Sequence, residues 1–171
     1  NVARVRQPDG SVRWDGQVDA RIVPGSGTGG YEHASYRVLE VIEERRSSAF
    51  MGVPATYRLL EQAGAEYRDL TSVRIWMTGA DVMPAPLARK FKSYGALATL
   101  PLVGPIGEAA FFEGYGMVET GGGVVAKISP PMLPVGLGDS LGVTLPGWKV
   151  RVADHDDEPV RSGSVGELQI K

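Results

Sequence analysis

The alternation of helical and extended patterns between residues 34 and 112 restricts the possible folds more than any other feature of this sequence. Apolar side chains recur at helical spacing, at positions such as Val38, Leu39 and Ile42, and short apolar runs separate the helical stretches. Parallel strands need crossover connections, so this order predicts an α/β fold with a parallel sheet flanked by helices. The predicted order is helix, strand, helix, strand, helix, strand, over residues 34–46, 49–51, 54–64, 73–78, 84–94 and 109–112.

The last part of the chain carries a different pattern. Residues 148–153 and 165–170 alternate between apolar and polar side chains on either side of an acidic turn, which predicts an antiparallel hairpin belonging to a small barrel. Near the start, a Pro-Asp-Gly-Ser turn at residues 8–11 predicts two short strands, and residues 18–23 predict another. The predicted organisation is a strand and loop lead-in over residues 1–33, an α/β ligand-binding subdomain over 34–135 and a β-rich subdomain over 136–171.

Three glycine-containing segments come directly after predicted strands. They lie at residues 52–54, 79–81 and 113–115, and each is interpreted as a loop. In open α/β sheets, ligands bind beyond the carboxyl ends of the parallel strands. We therefore expect a ligand site where these three loops meet.

The sequence Glu-Gly-Tyr-Gly-Met-Val-Glu-Thr at residues 113–120, followed by three glycines, carries the most specific chemistry of the chain. Gly114 and Gly116 permit a close approach of the main chain to a flat ligand, and Tyr115 offers an aromatic face for a purine. Glu119 provides a carboxylate suited to a divalent cation near phosphates. Simpler interpretations also fit, because a loop tyrosine often packs locally and a turn carboxylate is often only solvated.

These eight residues resemble the Tyr-Gly-Met-Thr-Glu-Thr core signature of the adenylate-forming enzymes, which include acyl-CoA synthetases, firefly-type luciferases and the adenylation domains of peptide synthetases. Residues 50–60, 77–83 and 145–171 resemble other parts of the same family, in the same order. Val118 departs from the signature, because the family usually carries threonine there. The resemblance identifies the chain as a middle fragment of the large amino-terminal domain of an acyl-CoA synthetase.

The resemblance implies a two-step reaction, in which a carboxylic acid, expected to be a fatty acid, attacks ATP to give an acyl-adenylate and coenzyme A then takes the acyl group. It implies that Tyr115 stacks on adenine, that Glu113 accepts a hydrogen bond from the adenine amino group, and that Glu119 is a catalytic residue that binds Mg²⁺. For Asp81 and Glu113, a purely structural role is an equal alternative to nucleotide binding; Asp81, for example, could cap a helix. The other implied contacts are with the nucleotide at Gly79, Ala80, Asp81, Gly114, Gly116, Met117 and Val118, and with the acyl group at Gly52, Val53, Gly121, Gly122 and Gly123.

Several parts of the family's machinery are not found in this sequence, namely the phosphate loop with its lysine, the ribose-binding aspartate and the carboxy-terminal catalytic lysine. Residues 25–30 have the glycine spacing of a phosphate loop, but Tyr31 and Glu32 replace the required lysine and hydroxyl residue, which favours a flexible loop. We expect the missing parts in flanking regions of a longer parent chain and expect the fragment alone to be inactive. Two rival hypotheses are a peptide-synthetase adenylation domain and a non-catalytic ligand-binding module of the same fold.

Composition excludes several other classes of function. The chain contains no cysteine, which removes disulfides, thiolate zinc sites and cysteine nucleophiles. Its net charge of −2 gives no electrostatic reason to expect a nucleic-acid partner, and no apolar run is long enough to span a membrane. The expected compartment is the cytoplasm. An acidic cluster at residues 154–158 is interpreted as a hairpin turn rather than a calcium loop, because Arg161 stands where such a loop needs glycine.

Overall fold

The computed structural model describes the backbone of residues 4–6, 12–14, 18–20, 29–133, 135–138 and 140–171, and within these ranges the side chains from residue 34 onward. The first three strands form an antiparallel sheet in the order β1-β2-β3. They are β1 (Arg4–Arg6), β2 (Val12–Trp14) and β3 (Val18–Ala20). The two strands predicted around residues 8–11 are confirmed, whereas that turn, residues 21–23 and most of the loop at residues 25–30 lie outside the described residues.

The predicted alternation of helices and strands is confirmed. Strands β4, β5 and β8 lie side by side and are parallel, because a helix connects β4 to β5 and another leads from β5 towards β8. A short antiparallel hairpin, β6 and β7, precedes β8. The elements are α1 (Gly29–Arg45), β4 (Ala49–Met51), α2 (Pro54–Gln62), β5 (Ile75–Gly79), α3 (Ala85–Tyr94), β6 (Ala98–Leu100), β7 (Gly104–Ile106) and β8 (Ala110–Met117).

Antiparallel strands complete the central sheet on one side. β9 (Gly122–Ser129) pairs with β8, and β10 (Val143–Thr144) pairs with β9, so the strand order is β10-β9-β8-β5-β4. The predicted carboxy-terminal hairpin is confirmed as β11 (Val150–Ala153) paired with β12 (Glu167–Ile170). The fold is therefore a mixed α/β sheet with an antiparallel extension, and the two residues of β10 join the central sheet rather than the hairpin.

The core lies between the sheet and helices α2 and α3. Tyr57 of α2 and Phe91 of α3 meet edge to face at 4.9 Å, and Phe91 lies 5.1 Å from Trp76 of β5. Phe111 of β8 adds a tilted contact with Tyr57 at 5.7 Å. Such aromatic pairs contribute about 0.5–1.5 kcal/mol each beyond their buried area. Both helices consequently cover the same face of the sheet.

A side-chain hydrogen bond joins helix α2 to strand β5. The Tyr57 hydroxyl donates to the carbonyl of Met77 at 2.7 Å, and burial raises the pKa of this hydroxyl above its ordinary range. Gly64, predicted as the residue that ends the second helix, has φ of 82°, the left-handed conformation that glycine adopts without strain. Among the described helices, none combines the length and the apolar character required to cross a bilayer.

The prediction of a loop at residues 113–115 is wrong. β8 continues without interruption through these residues to Met117, because β9 pairs with them on one side and the end of β5 pairs with Glu113 and Gly114 on the other. The reversal of direction comes later, in a short 3₁₀ turn at Val118–Thr120. The signature segment is therefore a strand that overhangs its neighbours, followed by a turn.

Candidate functional site

The carboxyl ends of the three parallel strands form a stepped edge. Met51, the last residue of β4, pairs with Met77, so β5 extends two residues further. Gly79, the last residue of β5, pairs with Gly114, so β8 extends three residues further, to Met117. Because each strand ends beyond the one before it, the segments after β4 and β5 and the end of β8 lie along one edge of the sheet, as the sequence predicted.

Two of these segments are short loops. The backbone N–H of Gly52 donates to the carbonyl of Met77 at 3.0 Å, and the Val53 side chain is 44% exposed. After β5, Ala80 has φ of 68°, which is strained for a residue with a side chain. The Asp81 carboxylate accepts from the N–H of Val82 at 2.7 Å. Asp81 therefore stabilises its own loop and does not cap α3, which begins four residues later.

Close backbone approaches explain two of the glycines at this edge. A Cβ at Gly79 would lie 2.9 Å from the carbonyl oxygen of Gly114, and a Cβ at Gly116 would lie 2.1 Å from the carbonyl oxygen of Gly122. A Cβ at Gly114 would instead meet only the ring of Phe112, at 3.3 Å. The structure therefore gives Gly116 a reason that the sequence does not show, because the backbone of Gly122 on β9 comes close to it.

We expect Gly116→Ala to lower the free energy of unfolding by about 1–3 kcal/mol or more, because extra volume is forced into packed surroundings. The added methyl would overlap the main chain of β9, and a backbone carbonyl cannot rotate away as a side chain does. Thermal unfolding would measure the loss. Gly114→Ala is the matched control with a smaller expected effect, and an equal effect of both changes would contradict this explanation.

Glu113 and Tyr115 lie on the same face of β8, because they are separated by two positions on a strand, about 6.6 Å along its axis. This is the face covered by the helices, as the contact of Phe111 with α2 shows. Tyr115 is half-buried, and within the described part of the chain no other aromatic ring contacts it. The Glu113 carboxylate lies 3.3 Å from the ammonium group of Lys127, with the two side chains 14% and 6% exposed.

Lys127 is a polar residue of this site that the sequence analysis did not identify. It lies on β9 directly opposite Glu113. Opposed residues on antiparallel strands contact one another, so opposite charges at these two positions are the signal that could have identified the pair. The signal becomes visible only when the register of β8 and β9 is known.

The turn after β8 exposes two side chains of the signature. Val118 is 94% exposed and Glu119 is also exposed, whereas the Thr120 hydroxyl lies 2.8 Å from the carbonyl oxygens of both Met117 and Gly122. The same hydroxyl accepts from the N–H of Met117 at 3.3 Å. Thr120 therefore holds the turn closed, and its hydroxyl is engaged within the chain.

The glycines that follow the turn occupy conformations that other residues avoid. Gly121 has φ of 68° and Gly122 has φ of 155°, and both are exposed. Together with Gly52 and Val53 they were predicted to border a substrate pocket. The structure places the two pairs in different segments of the edge. Gly121 and Gly122 lie after β8, whereas Gly52 and Val53 lie after β4.

The Glu119 carboxylate fits the way Mg²⁺ is commonly bound, through one or two carboxylates together with substrate phosphates and waters. No hydrogen bond or ion pair within the described residues engages it. A cluster of possible metal ligands occurs elsewhere, at Asp154, His155 and Asp156, and all three are exposed. Asp154 accepts from the N–H groups of Asp156 and Glu158 at 3.0 Å each, so the predicted hairpin turn is confirmed there.

Comparisons with known proteins match most of this chain. The model of a family described as AMP-binding enzyme matches residues 25–171. A feruloyl-CoA synthase from Amycolatopsis sp is 31% identical over 135 residues, which is 78% of this chain and 24% of that protein. The chain thus spans about a quarter of the length of this relative.

Solved structures share the fold at lower identity. The anthranilate CoA ligase AuaEII, in complex with anthranoyl-AMP, matches 87% of this chain and 25% of its own with a TM-score of 0.61 and 19% identity. The adenylation domain of a keto acid-selecting peptide-synthetase module, bound to a keto acyl adenylate, matches 84% of this chain and 30% of its own with a TM-score of 0.61 and 16% identity. At these identities the likeness shows the fold alone.

Proposed function

Because this chain belongs to the AMP-binding enzyme family, we propose that it is part of a ligase that activates a carboxylic acid with ATP and transfers the acyl group to coenzyme A. The observation that carries the proposal is the position of the signature segment at the stepped edge of the sheet. There Glu113 and Tyr115 lie on one face of β8, and Glu119 follows in an exposed turn without a partner among the described residues. The named activity of the Amycolatopsis relative also supports it.

The first step of such a reaction joins two anions, the carboxylate and the triphosphate, so binding must orient them and offset their charge. In our proposal the ring of Tyr115 is the platform for adenine, and the Glu113 carboxylate accepts from its amino group. The backbone of residues 79–81 lines the other side of the base. Glu119 holds Mg²⁺, which when bound supplies positive charge next to the phosphates.

The remaining signature residues shape the nucleotide and acyl sites. Gly114 and Gly116 place the end of β8 close to the nucleotide, and the backbone of Met117 and Val118 continues the same wall. The acyl pocket is bordered by two pairs of residues, Gly52 with Val53 and Gly121 with Gly122. The expectation of a fatty acid stays a prediction, and an aromatic acid is an equal candidate because the relative is named for feruloyl-CoA.

Carboxylate-dependent exchange of pyrophosphate into ATP by the full-length protein tests this function. The panel consists of ferulate, fatty acids of several lengths and amino acids, with acyl-CoA formation followed in parallel. Exchange with an acid together with acyl-CoA formation is expected. Exchange with amino acids and no use of coenzyme A would identify an adenylation domain instead, and no exchange with any acid would favour a non-catalytic module. The 171-residue chain alone is expected to show no exchange.

Val118→Thr in the full-length protein should leave the exchange rate unchanged or raise it by up to about 10-fold, the factor that one added hydrogen bond contributes. The Val118 side chain is 94% exposed, so the change disturbs no packing within the described residues. Thr120→Val is the matched control, and it should lower thermal stability because the Thr120 hydroxyl closes the turn. Loss of activity in folded Val118→Thr would contradict the proposed position of the phosphates.

A further inference from the structure

A row of polar side chains crosses three strands next to the proposed base site. Thr78 of β5, Glu113 of β8 and Lys127 of β9 occupy paired positions, so their side chains share the face of the sheet that carries Tyr115. Thr78 and Lys127 are buried, with Thr78 only 1% exposed, and the Glu113 side chain is 14% exposed. The Thr78 hydroxyl has no hydrogen-bond partner among the described residues. Buried polar groups with unused bonding capacity reduce stability, so packing alone does not account for this row.

Lys127 makes two contacts that fix its ammonium group. It lies 3.3 Å from one oxygen of Glu113 and donates to the carbonyl of Gly138. The second contact joins β9 to the segment that leads into β10, where Gly142 also lies close to the carbonyl of Ala126. The ammonium group is therefore held between a backbone carbonyl and Glu113. Held in this way, it contacts the carboxylate through one oxygen, and no hydrogen bond within the described residues engages the other oxygen.

We propose that Lys127 is a positioning residue that orients the Glu113 carboxylate so that its second oxygen selects a nucleobase with an amino group over one with a carbonyl group. An ionised carboxylate only accepts hydrogen bonds, so it matches the amino group of adenine and opposes the carbonyl oxygen of hypoxanthine at the same ring position. The proximity of Glu113 to Tyr115 on one strand face brings the edge of a stacked base next to the carboxylate. The proposal rests on the proposed function, because it assumes that the base stacks on Tyr115.

The test compares kcat/KM for ATP and for inosine triphosphate in pyrophosphate exchange by the full-length protein. The ratio of kcat/KM for ATP to kcat/KM for inosine triphosphate does not depend on the fraction of active enzyme, so loss of stability alone does not change this ratio. The wild type should prefer ATP by about 10- to 100-fold, the factor contributed by a hydrogen bond to a charged group. Lys127→Met should remove most of this preference, mainly through a higher KM for ATP, and Lys127→Arg should retain most of it.

Lys92→Met is the matched control. Lys92 is also a buried lysine paired with a carboxylate, at 3.0 Å from Glu108, but it contacts neither Glu113 nor Tyr115. We expect this variant to lose stability and keep the wild-type ratio. If Lys127→Met does not fold, the double variant Glu113→Gln with Lys127→Met replaces the ion pair by neutral side chains, and its ratio should fall in the same way.

The two proposals fail in different ways. Acid-dependent exchange without preference for ATP in the wild type, or an unchanged ratio in folded Lys127→Met, would overturn the role of Lys127 and leave the proposed function intact. Absence of exchange in the wild type would overturn the proposed function. In that case calorimetry with AMP and inosine monophosphate decides the role of Lys127, because a selective loss of AMP binding in Lys127→Met supports it and an equal loss of both overturns it.

Discussion

Glu119→Ala should lower the rate of acyl-adenylate formation by the full-length protein by about 10²- to 10³-fold, the usual loss when one electrostatic group that stabilises a transition state is removed. The carboxylate is exposed in the turn after β8 and is engaged by no group in the described part of the chain. In its proposed role, Glu119 therefore acts only through the metal ion that it binds next to the phosphates. Pyrophosphate exchange at several Mg²⁺ concentrations measures the loss, and calorimetry with AMP should show a much smaller change.

Glu158→Ala is the control for this prediction, because Glu158 is likewise an exposed carboxylate in a turn, between β11 and β12. We expect it to leave exchange unchanged. Glu119→Gln keeps the shape of the side chain but removes its charge, and this variant should lose nearly as much activity as Glu119→Ala. Unchanged kinetics of Glu119→Ala at every Mg²⁺ concentration would show that Glu119 is only a solvated surface residue.

Lys92→Met should lower the free energy of unfolding by about 3 kcal/mol, the lower end of the cost of removing one partner from a buried ion pair. The Lys92 side chain is 2% exposed and donates to the Ser129 hydroxyl at 2.8 Å and to the carbonyls of Pro130 and Leu133 at 2.8 and 3.0 Å. Its partner Glu108 is 29% exposed and can be hydrated after the change, which moderates the loss. Methionine fills the space of the lysine stem but leaves these oxygen atoms without their donor.

Hydrogen exchange of the full-length protein measures this effect, because it reports the stability of each segment separately. Faster exchange in α3 and in β9 is expected. Lys90→Met is the matched control on the same helix, because the ion pair of Lys90 with Glu61 is 58% and 34% exposed and solvent-exposed ion pairs contribute little to stability. Equal effects of the two variants would contradict a structural role for the buried lysine.

Much of the fold could be predicted because its signals are local. The helical spacing of Leu39 and Ile42 depends only on neighbours a few residues away, and both residues are buried as expected. The alternation of helices and short strands then limits the topology, since parallel strands require crossovers. The parallel pairing of β4, β5 and β8 agrees with this rule, whereas their order in the sheet was not predicted.

The candidate site was predicted in part. The sequence predicted that the end of β8 and the segments after β4 and β5 lie along one edge, because the carboxyl ends of parallel strands meet there. The roles of Tyr115 and Glu119 at that edge stay predictions. The loop expected at residues 113–115 was wrong, since a segment rich in glycine has weak strand propensity and its pairing with β9 and with the end of β5 keeps it extended. Propensity describes one segment at a time, whereas pairing depends on a partner strand.

The sequence by itself determined the family, the order of the elements and the chemical character of the residues at the edge. Only the tertiary structure decided which side chains meet, because the register of β8 and β9 places Lys127 against Glu113 and the packing of α3 brings Lys92 to Ser129, 37 residues away. It also decided why Gly116 must be glycine, since the constraint comes from the carbonyl of Gly122 across the hairpin. Periodicity and motifs record interactions between neighbours in sequence, whereas ion pairs and close backbone contacts depend on the relative positions of packed elements.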